Sequence, residues 1–227
     1  MESTAIIGIE SFVFDLDGTL IDSIPGIASS LAAAFRSIGR EMPAADLRRA
    51  IGPPIRVISK RVDPSLTDDE TLAIEQTYRS LYDTGGWRES NIFEGVADTL
   101  RTLHDAGFRL FVATNKPILP TRNTLEHLGI EMLFEGIITR DSSTPNFVSK
   151  AAMLANLVNA YALRTETTVM VGDTAEDREA AEANSLRCVF AEYGYGDDPQ
   201  ALRKIHTFAE LIRVAGIETL IEQGGRF

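Results

Sequence analysis

Five short and nearly unbroken apolar runs, at residues 12–14, 108–114, 136–139, 168–171 and 187–191, constrain this chain more than any other feature. Strands that lack polar alternation need apolar cover on both faces, and a parallel sheet sandwiched between helices supplies it. The segments between the runs have helical spacing: Val96, Leu100 and Leu103; Leu125 and Leu128; Met153, Leu154, Leu157 and Val158. Gly107 and Gly129 stand where helix C-caps belong. The expected class is α/β with a parallel sheet.

One block departs from this rhythm. Residues 22–91 offer no convincing strand but two helical patterns. The first sets Ile27, Leu31, Phe35 and Ile38 on one face and stops at Gly39. The second spans residues 69–82, opened by the capping sequence Thr67-Asp68-Asp69-Glu70 and closed by Gly85-Gly86. The block reads as a helical insertion after the first strand. A chain of 227 residues, 44% hydrophobic and 24% charged, has room for one domain plus such an insertion and is neither disordered nor a disulfide scaffold.

A net charge of −11 disfavours nucleic acid and anionic lipid as partners. The single cysteine, Cys188, cannot form an internal disulfide, and no His or Lys in its run would hold it as a thiolate. Residues 1–10 carry an acid and no basic run, with an apolar stretch too short for a signal peptide or a membrane span. A cytoplasmic protein is the expectation.

The chemistry is concentrated at strand ends. Phe12-Val13-Phe14-Asp15-Leu16-Asp17-Gly18-Thr19-Leu20 runs from a buried strand into two carboxylates, a glycine and a threonine. Such a tip suits a metal and phosphate site in which one carboxylate attacks and the other moves protons. Gly18 and Thr19 would bring backbone and N–H donors close to a phosphoryl group. Taken alone, the stretch fits a polar turn as well. A second strand, in Val169-Met170-Val171-Gly172-Asp173-Thr174-Ala175-Glu176-Asp177, also ends in acids. That cluster could simply cap a helix. Two acidic tips in one chain favour a shared ligand site at the C-terminal edge of the sheet.

Asp15, Asp17, Gly18, Thr19, Asp173 and Asp177 together resemble the first and fourth motifs of the haloacid dehalogenase superfamily. Phe111-Val112-Ala113-Thr114-Asn115-Lys116-Pro117 is similar to the second motif, a strand ending in a phosphate-binding Ser or Thr. Tyr78-Arg79-Ser80-Leu81-Tyr82 and Asn91-Ile92-Phe93-Glu94-Gly95-Val96 resemble the segment by which phosphoglycolate phosphatase-like members leave their helical cap. Ile51-Gly52-Pro53-Pro54 looks like a cap substrate loop, and Tyr193-Gly194-Tyr195-Gly196 like the loop after the fifth strand.

The resemblance implies a Rossmann-like α/β core of strand order 3-2-1-4-5, formed by residues 1–21 and 92–227, with residues 22–91 as an all-helical cap. It further implies a phosphatase acting on a small phosphorylated metabolite. Asp15 would attack phosphorus, Asp17 would serve as acid and then base, and Thr114 would bind a phosphoryl oxygen, with Asn115 beside it. Crowding a phosphate onto several carboxylates calls for a divalent cation, and Mg²⁺ suits oxygen ligands. Its ligands would be Asp15, the Asp17 carbonyl and Asp173, with Asp177 behind them.

The third-motif lysine is not in its common Gly-Lys-Pro-x-Pro setting. Lys150, at a helix start, is the choice, and Lys116 is the rival. In the cap, Arg56 is the candidate for an anionic substrate tail, whereas Lys60 and Arg61 fit a solvated helix face. Dehalogenases of this fold lack the second aspartate, which is present here as Asp17. His104, His127 and His206 lie outside the expected cap, against a mutase that needs a cap histidine. A pyrophosphatase, a phosphomutase of the same superfamily and a non-catalytic phosphate-binding regulator stay open as alternatives.

Overall fold

The computed structural model describes residues 5–44, 47–49 and 54–217. Of the expected cap loop Ile51-Gly52-Pro53-Pro54, all but Pro54 lies outside the described residues. In chain order the elements are β1 (Ser11–Phe14), β2 (Ile21–Asp22), α1 (Ile24–Ser37), α2 (Ile55–Val62), α3 (Asp68–Thr84), β3 (Asn91–Ile92), α4 (Val96–Asp105) and β4 (Arg109–Thr114). They continue with α5 (Ile118–His127), β5 (Gly136–Thr139), α6 (Lys150–Ala160), β6 (Thr168–Gly172), α7 (Ala175–Ala183), β7 (Arg187–Ala191), β8 (Lys204–Ile205) and α8 (Leu211–Val214).

Six strands form one sheet in the order β5-β4-β1-β6-β7-β8, with parallel pairing throughout. This is the expected 3-2-1-4-5 arrangement, extended by the two-residue edge strand β8. Side chains alternate across it. Phe12, Phe14, Val112 and Val171 join the apolar cluster on one face, while Val13, Phe111, Ala113 and Met170 join that on the other. Both faces are covered, so the strand sequences are continuously apolar. Burying one such phenylalanine contributes roughly 1.5–3 kcal/mol.

Between β2 and β3, helices α1 to α3 pack around an apolar cluster of their own that includes Leu31, Phe35, Ile58 and Ile74. A reciprocal capping box starts α3: Glu70 N donates to Thr67 Oγ1 at 3.2 Å, and Thr67 N donates to Glu70 Oε2 at 2.8 Å. The insert leaves and re-enters the core through a short antiparallel ribbon, with Ile21 opposite Ile92 and Asp22 opposite Asn91. Tyr195, in the loop after β7, braces this ribbon. Its hydroxyl accepts from Ser23 N at 2.7 Å and donates to Asp22 Oδ1 at 2.8 Å. Among the described residues, no helix is long and apolar enough to cross a membrane.

Candidate active site

The central strand β1 lies between β4 and β6, so three strand tips are neighbours. Asp15 follows β1, Thr114 ends β4 and Asp173 follows β6. The Asp15 N–H donates to Val171 O at 2.9 Å, carrying the pairing with β6 one residue past the strand. The chain then folds back sharply: Leu20 N donates to Leu16 O and Gly18 N to Ile21 O, each at 2.9 Å. Gly18 has φ +89°, and a Cβ there would collide with the Asp173 carboxylate. Gly194, from the loop after β7, is confined in the same way between the Gly18 carbonyl and Asp173.

This packing fixes Asp173, which is fully buried. Its Oδ1 accepts from Thr19 Oγ1 at 3.0 Å and its Oδ2 from Tyr195 N at 2.8 Å. Thr19 therefore spends its hydroxyl on Asp173. Asp177 is buried as well, and its Oδ2 accepts from Thr174 N at 3.0 Å and Thr174 Oγ1 at 2.6 Å. Thr174 is thus the N-cap of α7, as one reading of the sequence anticipates, with Asp177 reaching back to it, while Asp177 Oδ1 lies 2.5 Å from Lys150 Nζ. Lys150 also reaches Asp15 Oδ1 at 2.6 Å. Ser149 starts α6 beneath it, with its hydroxyl accepting from Ala152 N at 3.1 Å.

Lys150 and Lys116, the two candidate lysines, divide the acids between them. Lys116 Nζ donates to Asp17 Oδ1 at 2.9 Å and to Tyr82 Oη, on α3, at 2.6 Å. Both lysines are buried rather than solvated. Thr114 is buried and accepts from Lys116 N at 3.3 Å. Asn115 donates to Glu176 Oε2 at 3.0 Å. Arg56 is not drawn into this group: its side chain is 55% exposed, and its guanidinium pairs with Glu75 within the insert.

Burial pushes the Asp15 carboxyl up to about 8, with Asp177 and Asp173 reinforcing the shift and Lys150 opposing it. Asp173 is raised to about 6, by burial first and then by Asp177. Burial works against the charge on Lys150, but Asp15 and Asp177 reverse the effect and hold the ammonium above the ordinary lysine range. One carboxylate oxygen each from Asp15, Asp173 and Asp177 lies within 4.8 Å of the others. Fully ionised, three carboxylates against one ammonium leave an excess of negative charge in a buried space. An all-oxygen donor set with that excess fits a hard divalent cation such as Mg²⁺. Asp15 holds one oxygen clear of Lys150, while Asp173 and Asp177 each have both oxygens in contact with neighbouring groups.

Tyr82, Tyr195 and Glu176 belong to segments that the sequence marks but are not among its candidate site residues, although all three contact such residues. Tyr78 and Tyr82 do show a signal in retrospect: two aromatic residues four apart share one helix face, and their rings stack at 5.3 Å.

Residues 12–191 match the family described as haloacid dehalogenase-like hydrolase. The tyrosine-protein kinase PtkA of Mycobacterium tuberculosis is 36% identical over 185 residues, covering 81% of this chain; this chain spans only 62% of the length of PtkA. The phosphoglycolate phosphatase of Photobacterium profundum is 32% identical over 200 residues, 83% of this chain and 85% of that protein. Among solved structures, a haloacid dehalogenase-like family hydrolase from Streptococcus pneumoniae superposes with a TM-score of 0.81 at 26% identity, covering 93% of this chain and all of the other.

Proposed function

Because this chain belongs to the haloacid dehalogenase-like hydrolases, we propose that it is a Mg²⁺-dependent phosphatase of small organic phosphomonoesters, phosphoglycolate among the candidates. The observation that carries this reading is the buried Asp15 carboxylate, paired with Lys150 at 2.6 Å and clustered with Asp173. In this reading residues 22–91 form a cap over a core of residues 1–21 and 92–227, and the setting is cytoplasmic.

Asp15 attacks phosphorus through the oxygen that Lys150 does not engage, and the bond from phosphorus to the leaving alcohol breaks as the aspartyl-phosphate forms. Asp17 gives the leaving oxygen its proton. It then takes a proton from the water that attacks the aspartyl-phosphate, which restores Asp15 and releases phosphate. Lys150 offsets charge on Asp15, and Thr114 holds a phosphoryl oxygen. Asp15, Asp173 and the Asp17 carbonyl would hold Mg²⁺, supported by Asp177, and the ion would neutralise the substrate phosphate. The cap excludes water from the aspartyl-phosphate until the alcohol has left.

Purified protein should release inorganic phosphate from p-nitrophenyl phosphate and from at least one member of a panel of glycolate, sugar and nucleotide phosphates. The release should stop on chelation and return with Mg²⁺. No turnover with any of these substrates would overturn the reading. The similarity to PtkA favours one second reading, transfer of the phosphoryl group to a tyrosine hydroxyl instead of water. Labelled phosphate appearing on protein tyrosine rather than in solution would select it.

A further inference from the structure

The core's acid–base candidate is tied to the insert through a single ammonium. Lys116 lies in the loop between β4 and α5, and only 5% of its side chain is exposed. Its Nζ joins the loop after β1 to α3, donating to Asp17 Oδ1 at 2.9 Å and to Tyr82 Oη at 2.6 Å. The same nitrogen lies 4.7 Å from the centroid of the Tyr82 ring. Tyr82 is itself held in place: it is 4% exposed and stacks on Tyr78 with an interplanar angle of 13°. A lysine on a four-carbon stem has many rotamers. The tyrosine removes that freedom at the atom that grips Asp17.

We propose that Tyr82 is a positioning residue supplied by the insert, which fixes Lys116 and through it aims the Asp17 carboxylate at the leaving-group oxygen. The proposal rests on the phosphatase reading and extends it, because proton delivery then depends on the insert being seated on the core. An insert lifted away takes Tyr82 Oη with it and leaves Lys116 with Asp17 alone. Proton transfer to the leaving group is thereby matched to the state in which bulk water is kept out.

The test uses Tyr82→Phe, which keeps the ring, its stacking and its contact with the ammonium and removes only the hydroxyl. kcat/KM is measured with two probes in parallel: phosphoglycolate, whose alkoxide needs a proton to leave, and p-nitrophenyl phosphate, whose nitrophenolate leaves without one. This constant covers steps only through formation of the aspartyl-phosphate, so it isolates leaving-group protonation. The ratio of the two values does not depend on how much of the preparation is folded. We expect the loss on the alkyl ester to exceed the loss on the aryl ester by about tenfold, as for a misaimed proton donor. Lys116→Met should give the same asymmetry. Equal losses on both esters, or no loss on either, would overturn the proposal. If phosphoglycolate is not turned over, the alkyl ester of the panel that is turned over takes its place; absence of turnover by the unaltered chain with every ester of the panel would strike the phosphatase reading itself.

Discussion

Asp15 is asked to be an anion in a place that disfavours anions, and this governs how the site responds to pH and metal. A buried acid raised to about 8 stabilises the fold below its unfolded pKa, near 3.9, and that contribution is lost as pH rises through 8. Binding of a divalent cation must displace the proton. In calorimetry at pH 7, Mg²⁺ addition to chelator-treated protein should release about one proton per site, read from buffers of different ionisation enthalpy. The release should fall away as pH rises above 8, and the gain in Tm from a fixed Mg²⁺ concentration should be larger at pH 8 than at pH 6. Asp15→Asn should lower kcat/KM by at least about 10³-fold in a phosphate-release assay, because an amide cannot form the acyl phosphate. Asp15 and Asp173 were legible in the sequence because each ends an apolar strand. The partner of each lysine was not legible, since Lys150 meets Asp15 across 135 positions and Lys116 meets Asp17 across 99.

At the scale of elements, legibility followed burial. Strands β1 and β4 to β7 announce themselves because both faces are covered, α1 by its apolar face and α3 by its capping sequence, each helix with glycine just beyond its end. The ribbon β2–β3 and the edge strand β8 have two residues each, too few for any periodicity to register. Helix α2 has too few residues to show a face in the sequence: Lys60 and Arg61 fit a solvated face and Arg56 a substrate contact, yet Ile58 and Val62 are buried. The capping box of α3 stands at its solvent-exposed start, far along the helix from Tyr82. Thr67→Ala should therefore cost about 1 kcal/mol of stability, with a fall in Tm of about 2–4 °C, and leave kcat/KM within experimental scatter. Thermal melts and steady-state kinetics on one preparation check both halves.

Across the whole molecule, the insert meets the core at Tyr82 with Lys116 and again at Trp87, whose ring sits edge-on to His127 of α5 at 5.7 Å. Trp87 is the only tryptophan in the chain and is 8% exposed, so its fluorescence reports this contact without labelling. Mg²⁺ together with the phosphate analogue tungstate should shift its emission to the blue as the insert seats against the core. An unchanged spectrum would mean that the two parts do not separate in solution. The ribbon carries a consequence of another kind. Because Ile21 and Ile92 face each other, the insert begins and ends at one spot outside the six-stranded sheet. A foreign lid spliced between these two anchor points would have to bring its own hydroxyl to the place of Tyr82 Oη, so that in the phosphatase reading a transplant succeeds only if it restores the grip on Lys116.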